Sequence, residues 1–322
     1  MNLKELAKDI ATEVEAILSN NFEIDVTNTV SVPHSDDPAI TFPNLDQMRQ
    51  GCKIIETCVL YIDIRRSTEL NLQHRPKTVS RLYSSFVRAM VRCAEQYGGH
   101  VRGIIGDRVM VVFDANNCFT DAVHTAQAMN TVSNHIINKH FKSGEVSCGI
   151  GIDYGRMLVT KTGFRRHGVQ RHNYRSLVWL GRPANVASKL TDIANKPASR
   201  RNDHAVQLGY RYPYTDQWGA ETVSAETFIN GLTVVHLQDG TRLFRHENPY
   251  VYSVTNATRS IEITSKTPPI VMTKAVYDGF RAKNPEAKSI KENWYHRVSV
   301  TVPGYSGAVF GGAVEFADLK PK

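Results

Sequence analysis

The sequence lacks any paired-cysteine signature: its five cysteines, Cys52, Cys58, Cys93, Cys118 and Cys148, are odd in number and none stand in CxxC spacing. That excludes a disulfide framework and a zinc knuckle and points to a reducing compartment, so a cytoplasmic location is expected. Nor is there a run of about 18 apolar residues of the kind that spans a bilayer. Near the N-terminus Lys4, Glu5, Lys8, Asp9, Glu13 and Glu15 interrupt the apolar positions, which excludes a signal-peptide core. A soluble protein with no membrane partner is the expectation. There is no internal repeat and no low-complexity tract. Acidic residues are in short supply, 31 Asp and Glu against 39 Lys and Arg, giving a formal charge of +8 and a pI near 9.2. Such a balance calls for an anionic partner: nucleic acid, a lipid surface or a polyphosphate. With 322 residues, 41% of them hydrophobic, the chain can bury a core of one large decorated domain or two ordinary ones.

What is present is ordered. Over residues 3–19, Leu3, Leu6, Ile10, Val14, Ile17 and Leu18 share one helical face, so an amphipathic helix opens the chain, free to dock on its own domain or on a neighbour. A stretch punctuated by Pro33, Pro38 and Pro43 follows. Residues Ile54 to Ile64 read as a central strand buried on both faces. Val79, Leu82, Phe86 and Met90 then mark a helix that Gly98 and Gly99 stop. A hairpin of HVRGII and RVMVVF turns at Gly106-Asp107. A helix from Thr120 to Phe141 and a strand from Val146 to Ile152 complete an α+β unit of the ferredoxin-like kind.

Beyond Arg156 the composition shifts: Lys161, Arg165, Arg166, Arg171, Arg175, Arg182, Lys189, Lys196 and Arg200 stand against the single acid Asp192. A helix starting near Pro183 presents Val186, Leu190 and Ile193. Residues 196–266 lack helical periodicity and read as a β-rich insertion, Pro268–Phe280 as a strand entering a helix, and Arg297–Phe316 as a closing hairpin. The domain expectation is therefore an N-terminal helical extension over 1–50, a core over 51–195, the insertion over 196–266 and a completing segment over 267–322.

Two carboxylates carry the chemistry. Asp63 ends a buried strand and Asp107 sits in the next hairpin turn, and a fold of this order can bring them side by side. Paired carboxylates, with a carbonyl such as that of Ile64, suit hard cations like Mg²⁺ or Mn²⁺. Two such metals can stabilise both the attacking and the leaving oxygen of an in-line displacement.

YIDIRRST at Tyr61–Thr68 and GGHVRGIIGDRVMVVF at Gly98–Phe113 resemble the two metal motifs of class III adenylate and guanylate cyclases. GIGIDYG at Gly149–Gly155 is similar to that family's glycine-bearing strand, and WLGRPANVASKL at Trp179–Leu190 to its transition-state motif. The GG(D/E)EF turn of diguanylate cyclases is missing. The resemblance implies an α/β (α+β) cyclase fold with an antiparallel-rich sheet and packed helices. It further implies two divalent metal ions on Asp63, Asp107 and the Ile64 carbonyl, ribose positioning by Asn185, and phosphorus stabilisation by Lys189, where the family usually has arginine. In the family these two sets come from different subunits, so a homodimer with a nucleoside triphosphate substrate is implied.

Purine cyclases of this family read the base at positions that here are Gly103 and Val178, neither of which can hydrogen-bond a purine through its side chain. Tyr61 stands where phenylalanine is usual. These departures make the chain similar to the pyrimidine cyclases (PycC) of the bacterial Pycsar antiphage system. The resemblance implies UTP as the favoured substrate and a separate effector protein activated by the product, with Tyr61, Arg102, Ile105 and Arg175 as candidate base contacts. Cyclic CMP production, a purine cyclase and a degenerate cyclase-like domain remain open. So does a single-strand binder using Arg165, Arg171, Arg175, Tyr174 and Trp179, although the cyclase motifs argue for no nucleic-acid partner.

Overall fold

A computed structural model describes residues 2–142, 146–162, 177–211, 214–215, 217–264 and 266–321. The chain divides into two compact units, Met1–Lys196 with Thr267–Lys322, and Pro197–Lys266.

In the first unit, α1 (Leu3–Leu18) is opened by a capping box in which Asn2 Oδ1 accepts from the Lys4 N–H and the Glu5 carboxylate accepts from the Asn2 N–H. None of its residues is buried, so its apolar stripe, Leu3, Ile10, Val14, Ile17 and Leu18, faces outward. β1 (Glu23–Thr29) pairs in parallel with the start of β2 (Arg49–Ile64). α2 (Ser67–Gln73) leads to α3 (Pro76–Gln96), which has proline at its first turn and buries Leu82, Phe86, Met90, Cys93 and Ala94. The hairpin of β3 (Gly99–Ile105) and β4 (Arg108–Phe113) turns at Gly106, whose φ of +63° favours glycine. α4 (Cys118–Thr131) runs through a π-helical segment, Val132–Ile137, into α5 (Asn138–His140), and β5 (Cys148–Thr160) follows.

These strands stand in the order β5-β2-β4-β3, antiparallel throughout. This is the ferredoxin-like arrangement the motif order predicted. Helices α3 and α4 cover one face, and Leu60, Ile62, Phe86, Met90, Phe113, Met129 and Ile150 form the core between them. The other face buries Ile55, Val59, Met110, Val112, Met157 and Val159 against Val32 and Ile40 and against Ala184 and Ala187 of a later helix. With apolar layers on both sides, β2 needs the near-continuous hydrophobic run that marked it in the sequence. β6 (Val178–Leu180) pairs with the far end of β5, and α6 (Arg182–Ile193) supplies Ala184 and Ala187.

The second unit is β-rich: β7 (Ser199–Arg211), β8 (Trp218–Ser224), α7 (Ala225–Asn230), β9 (Leu232–His236), β10 (Arg242–His246) and β11 (Val251–Thr264). They form a sheet of order β11-β7-β8 and a β9–β10 hairpin. Ala205 and Leu208 are its buried apolar side chains among the described residues. The first unit closes over the interruption, because Lys196 and Thr267 exchange hydrogen bonds of 3.0 and 2.9 Å.

The chain then adds β12 (Ile270–Thr273), α8 (Lys274–Lys283), α9 (Lys288–Lys291), β13 (His296–Val298) and β14 (Val309–Gly312). The main path of the sheet is β13-β14-β12-β5-β2-β4-β3. The hairpin expected at the tail is present as β13 paired with β14.

Candidate active site

Because β2 and β4 are antiparallel with Ile62 opposite Val109, the end of β2 lies beside the β3–β4 turn. This brings Asp63 next to Asp107. Asp107 is buried, and its Oδ2 accepts the Ile64 N–H at 3.0 Å. Burial and the neighbouring Asp63 carboxylate push the Asp107 carboxyl up to about 6, as expected when two carboxylates share a site. The opposing positive charge comes from Arg108, which donates to Asp63 Oδ2 through Nη2 at 2.6 Å and Nε at 3.2 Å. The same guanidinium donates to Ser188 Oγ at 2.9 Å and to the Asp192 carboxylate. Arg65 lies 3.8 Å from Asp63 and donates to the Asp192 carbonyl at 3.2 Å. Its guanidinium fits there because position 149 is glycine: a Cβ would stand 2.8 Å from Arg65 Cζ.

The two carboxylates and the Ile64 carbonyl form an oxygen-only donor set, so these residues fit hard divalent cations. Among the described residues no three or more His, Cys, Asp and Glu side chains gather as a metal cage. Mg²⁺ sites typically use one or two carboxylates completed by water and substrate phosphate.

Helix α6 carries the other candidate residues, and the glycine strand seats it. A Cβ on Gly151 would lie 2.3 Å from the Ala187 carbonyl oxygen and 2.4 Å from the Thr191 nitrogen, so only glycine lets the helix backbone lie on β5. At the start of α6, Arg182 donates to the Tyr154 carbonyl at 2.8 Å and stands 3.4 Å from buried Asp153. Asn185 is exposed, and Lys189 Nζ donates to the Pro303 carbonyl at 2.9 Å. Among the described residues no hydrogen bond or ion pair joins Asn185 or Lys189 to Asp63 or Asp107 in one protomer. Ser188 and Asp192, on the same helix, do reach that corner through Arg108.

Arg65, Arg108, Ser188 and Asp192 were not singled out from the sequence. A signal was available: Arg108 directly follows Asp107, and Asp192 is the lone acid in a strongly basic stretch.

The expected base contacts separate into groups. Tyr61 pairs with Met110 and Met110 with Gly103, so the three form a row across β2, β4 and β3 on the sheet face away from α3 and α4. Tyr61 is half-buried there, and burial raises its hydroxyl pKa. A β-bulge between Val101 and Gly103 makes Arg102 the extra residue, a device that re-aims a side chain. Arg102 Nε and Nη2 are buried without a hydrogen-bond partner, while Nη1 donates to the Val101 carbonyl at 3.3 Å. Ile105 is 80% exposed beside the turn. Val178 is not in this row: β6 lies across β5, separated from β3 by β5, β2 and β4. Arg175, with Arg165, Arg166, Arg171 and Tyr174, falls outside the described residues.

Residues 52–199, just under half of the chain, match the Adenylate and Guanylate cyclase catalytic domain family. A protein named uridylate cyclase from Burkholderia cepacia is 28% identical over 67% of this chain and 91% of its own length. Another uridylate cyclase, from Gulbenkiania mobilis, is 29% identical over 53% of this chain and 68% of its own. Among solved structures, the adenylyl cyclase CyaB from P. aeruginosa aligns with 80% of this chain and 94% of its own at 15% identity and a TM-score of 0.46, too low to add to the family match.

Proposed function

Because residues 52–199 match the adenylate and guanylate cyclase catalytic domain family, we propose that the chain converts UTP to 3′,5′-cyclic UMP and pyrophosphate at a homodimer interface. The observation that carries this reading is the Asp63–Asp107 pair at the joined ends of β2 and β4. The choice of UTP is supported by the relatives named uridylate cyclase.

In the reaction the ribose 3′ oxygen attacks the α-phosphorus, the bond to the β-phosphate breaks, and the 3′ proton passes to solvent. Two divalent cations, Mn²⁺ or Mg²⁺, supply charge stabilisation for the attacking oxygen and the leaving pyrophosphate when bound. Asp63 and Asp107 hold them with the Ile64 carbonyl. Asn185 of a second copy orients the ribose, and its Lys189 places positive charge against the crowded phosphorus. An ammonium has three N–H donors, and the Pro303 contact uses one of them.

Selection of a pyrimidine rests on the row formed by Tyr61, Met110 and Gly103, where Gly103 brings no side chain to read a purine edge. Arg102 offers only donors. They complement the O4 of uracil and oppose the N4 amino group of cytosine, which favours UTP over CTP. The product then acts as a second messenger on a separate effector in antiphage defence.

The test is to incubate the protein with Mn²⁺ and each of ATP, GTP, CTP and UTP, and to identify products by mass spectrometry. Cyclic UMP is the expected product. Cyclic AMP or GMP would overturn the base reading, and no product from any nucleotide would favour a degenerate domain.

A further inference from the structure

Arg108 is the most heavily committed side chain at the carboxylate corner. Its guanidinium gives two N–H groups to a single oxygen of Asp63, one to Ser188 and one to Asp192. It thus ties a strand-end carboxylate to the helix that presents Asn185 and Lys189. Two features make this more than a surface ion pair. The Asp63 and Arg108 side chains are 18% and 25% exposed, so the pair is mostly shielded from water. A cation docking on Asp63 must also face the guanidinium at the same oxygen, where like charges at contact distance repel strongly in a partly buried setting. Asp192, 53% exposed, is an alternative partner already in contact.

We propose that Arg108 is a positioning residue that clamps Asp63 until a divalent cation takes that carboxylate, and then, retained by Ser188 and Asp192, fixes α6 against the loaded site. The proposal rests on the cyclase reading and adds a coupling to it: metal occupancy at the end of β2 decides whether Arg108 is shared with Asp63 or left wholly to the helix that bears Asn185 and Lys189. Arg108 and the metal compete for Asp63, whereas Asp192 and Asp63 compete for Arg108.

Opposite signs follow for the two partners of the clamp. Mn²⁺ binding to the full-length protein without nucleotide, read by the electron paramagnetic resonance signal of free Mn²⁺, measures both. Arg108→Gln should bind Mn²⁺ about tenfold more tightly than the unmodified protein, because the competitor is gone, while its kcat falls with little change in KM. Asp192→Asn should bind several-fold more weakly, because Arg108 is left to Asp63 alone. In the double variant the Asp192 change should add nothing to Arg108→Gln, since Asp192 acts through Arg108.

Equal or weaker Mn²⁺ binding by Arg108→Gln would overturn the proposal. So would an Asp192→Asn effect that persists undiminished in the double variant. Asp63→Asn separates the two levels of inference. If it binds Mn²⁺ as the unmodified protein does, the metal-site reading fails; if it loses Mn²⁺ while Arg108→Gln gains nothing, only the clamp fails. Asp192→Asn changes an exposed carboxylate, so it keeps the test available should Arg108→Gln fold poorly.

Discussion

The carboxylate corner and the outer face of α6 are built on opposite logics. At the corner, Arg65 and Arg108 pair with Asp63 within one chain, and burial beside that carboxylate raises the Asp107 carboxyl to about 6. On α6, Asn185 stands exposed and Lys189 turns to the Pro303 carbonyl. The corner's two arginines are spent on acids of their own chain. The helix face presents an amide to solvent and rests its ammonium on a carbonyl of its own chain. The difference is the one the proposed homodimer calls for, in which the two motifs would be halves and each would meet its complement from a second copy.

The sharpest way to break this comparison is to empty one half. Asp63→Ala should lower turnover on the order of a thousandfold or more while far-ultraviolet circular dichroism keeps the folded spectrum. Unchanged turnover would remove Asp63 from the site. Asn185→Ala should cost about a hundredfold. Mixed in equal amounts and allowed to exchange, the two inactive variants should recover about a quarter of the unmodified activity, as expected when half the dimers hold one intact composite site. No recovery despite verified subunit exchange would place both halves in a single protomer.

A third substitution separates position from chemistry. Gly151→Val forces side-chain atoms into the backbone of α6, since a Cβ alone already meets the Ala187 carbonyl oxygen at 2.3 Å. Overpacking of this kind costs about 1–3 kcal/mol or more, measurable as a fall in denaturation midpoint, and turnover should fall with it because α6 is displaced.

The smallest effect is a control outside both halves. Burial works against the charge of Glu315, but hydrogen bonds from Lys320, Asn134 and His135 hold its carboxyl down at about 2. A depressed carboxyl contributes stability that is present above its unfolded pKa, near 4.5, and is lost as pH falls toward 2. Glu315→Gln should lower Tm by a few degrees at neutral pH, lose that difference by about pH 2, and leave turnover unchanged. A turnover change would mean that the comparison has drawn its boundaries too tightly.

Much of this was legible in the chain itself. The run Ile54–Ile64 announced a doubly buried strand, the spacing of Leu82, Phe86 and Met90 a helix, and Gly106-Asp107 a turn, because each signal is local and periodic. β1 went unread although Phe22, Ile24 and Val26 alternate with polar residues: the pattern is short, and six of the seven strand residues are exposed, so pairing with β2 rather than burial defines it. The long helix expected over Thr120–Phe141 holds, but its π-helical segment at Val132–Ile137 leaves no mark in the pattern. The apolar stripe of α1 was correctly read as amphipathic, yet amphipathicity names no partner, and its own protomer does not bury it.

For the site, the sequence by itself determined which groups are available: two acids at predictable strand and turn positions, an asparagine and a lysine one helical turn apart, and glycines spaced by two along a strand. Those follow from residue identity and short-range geometry. Only the tertiary structure decided which of them meet. Antiparallel pairing of β2 with β4 sets Asp63 beside Asp107, and the seating of α6 on Gly149 and Gly151 carries Ser188 and Asp192 to Arg108 across 80 and 84 residues of chain. The placement of β6 across β5 moves Val178 out of the row that holds Tyr61 and Gly103. Contacts of this kind depend on strand order and register, which are set by the packing of the whole sheet, and no local pattern encodes them.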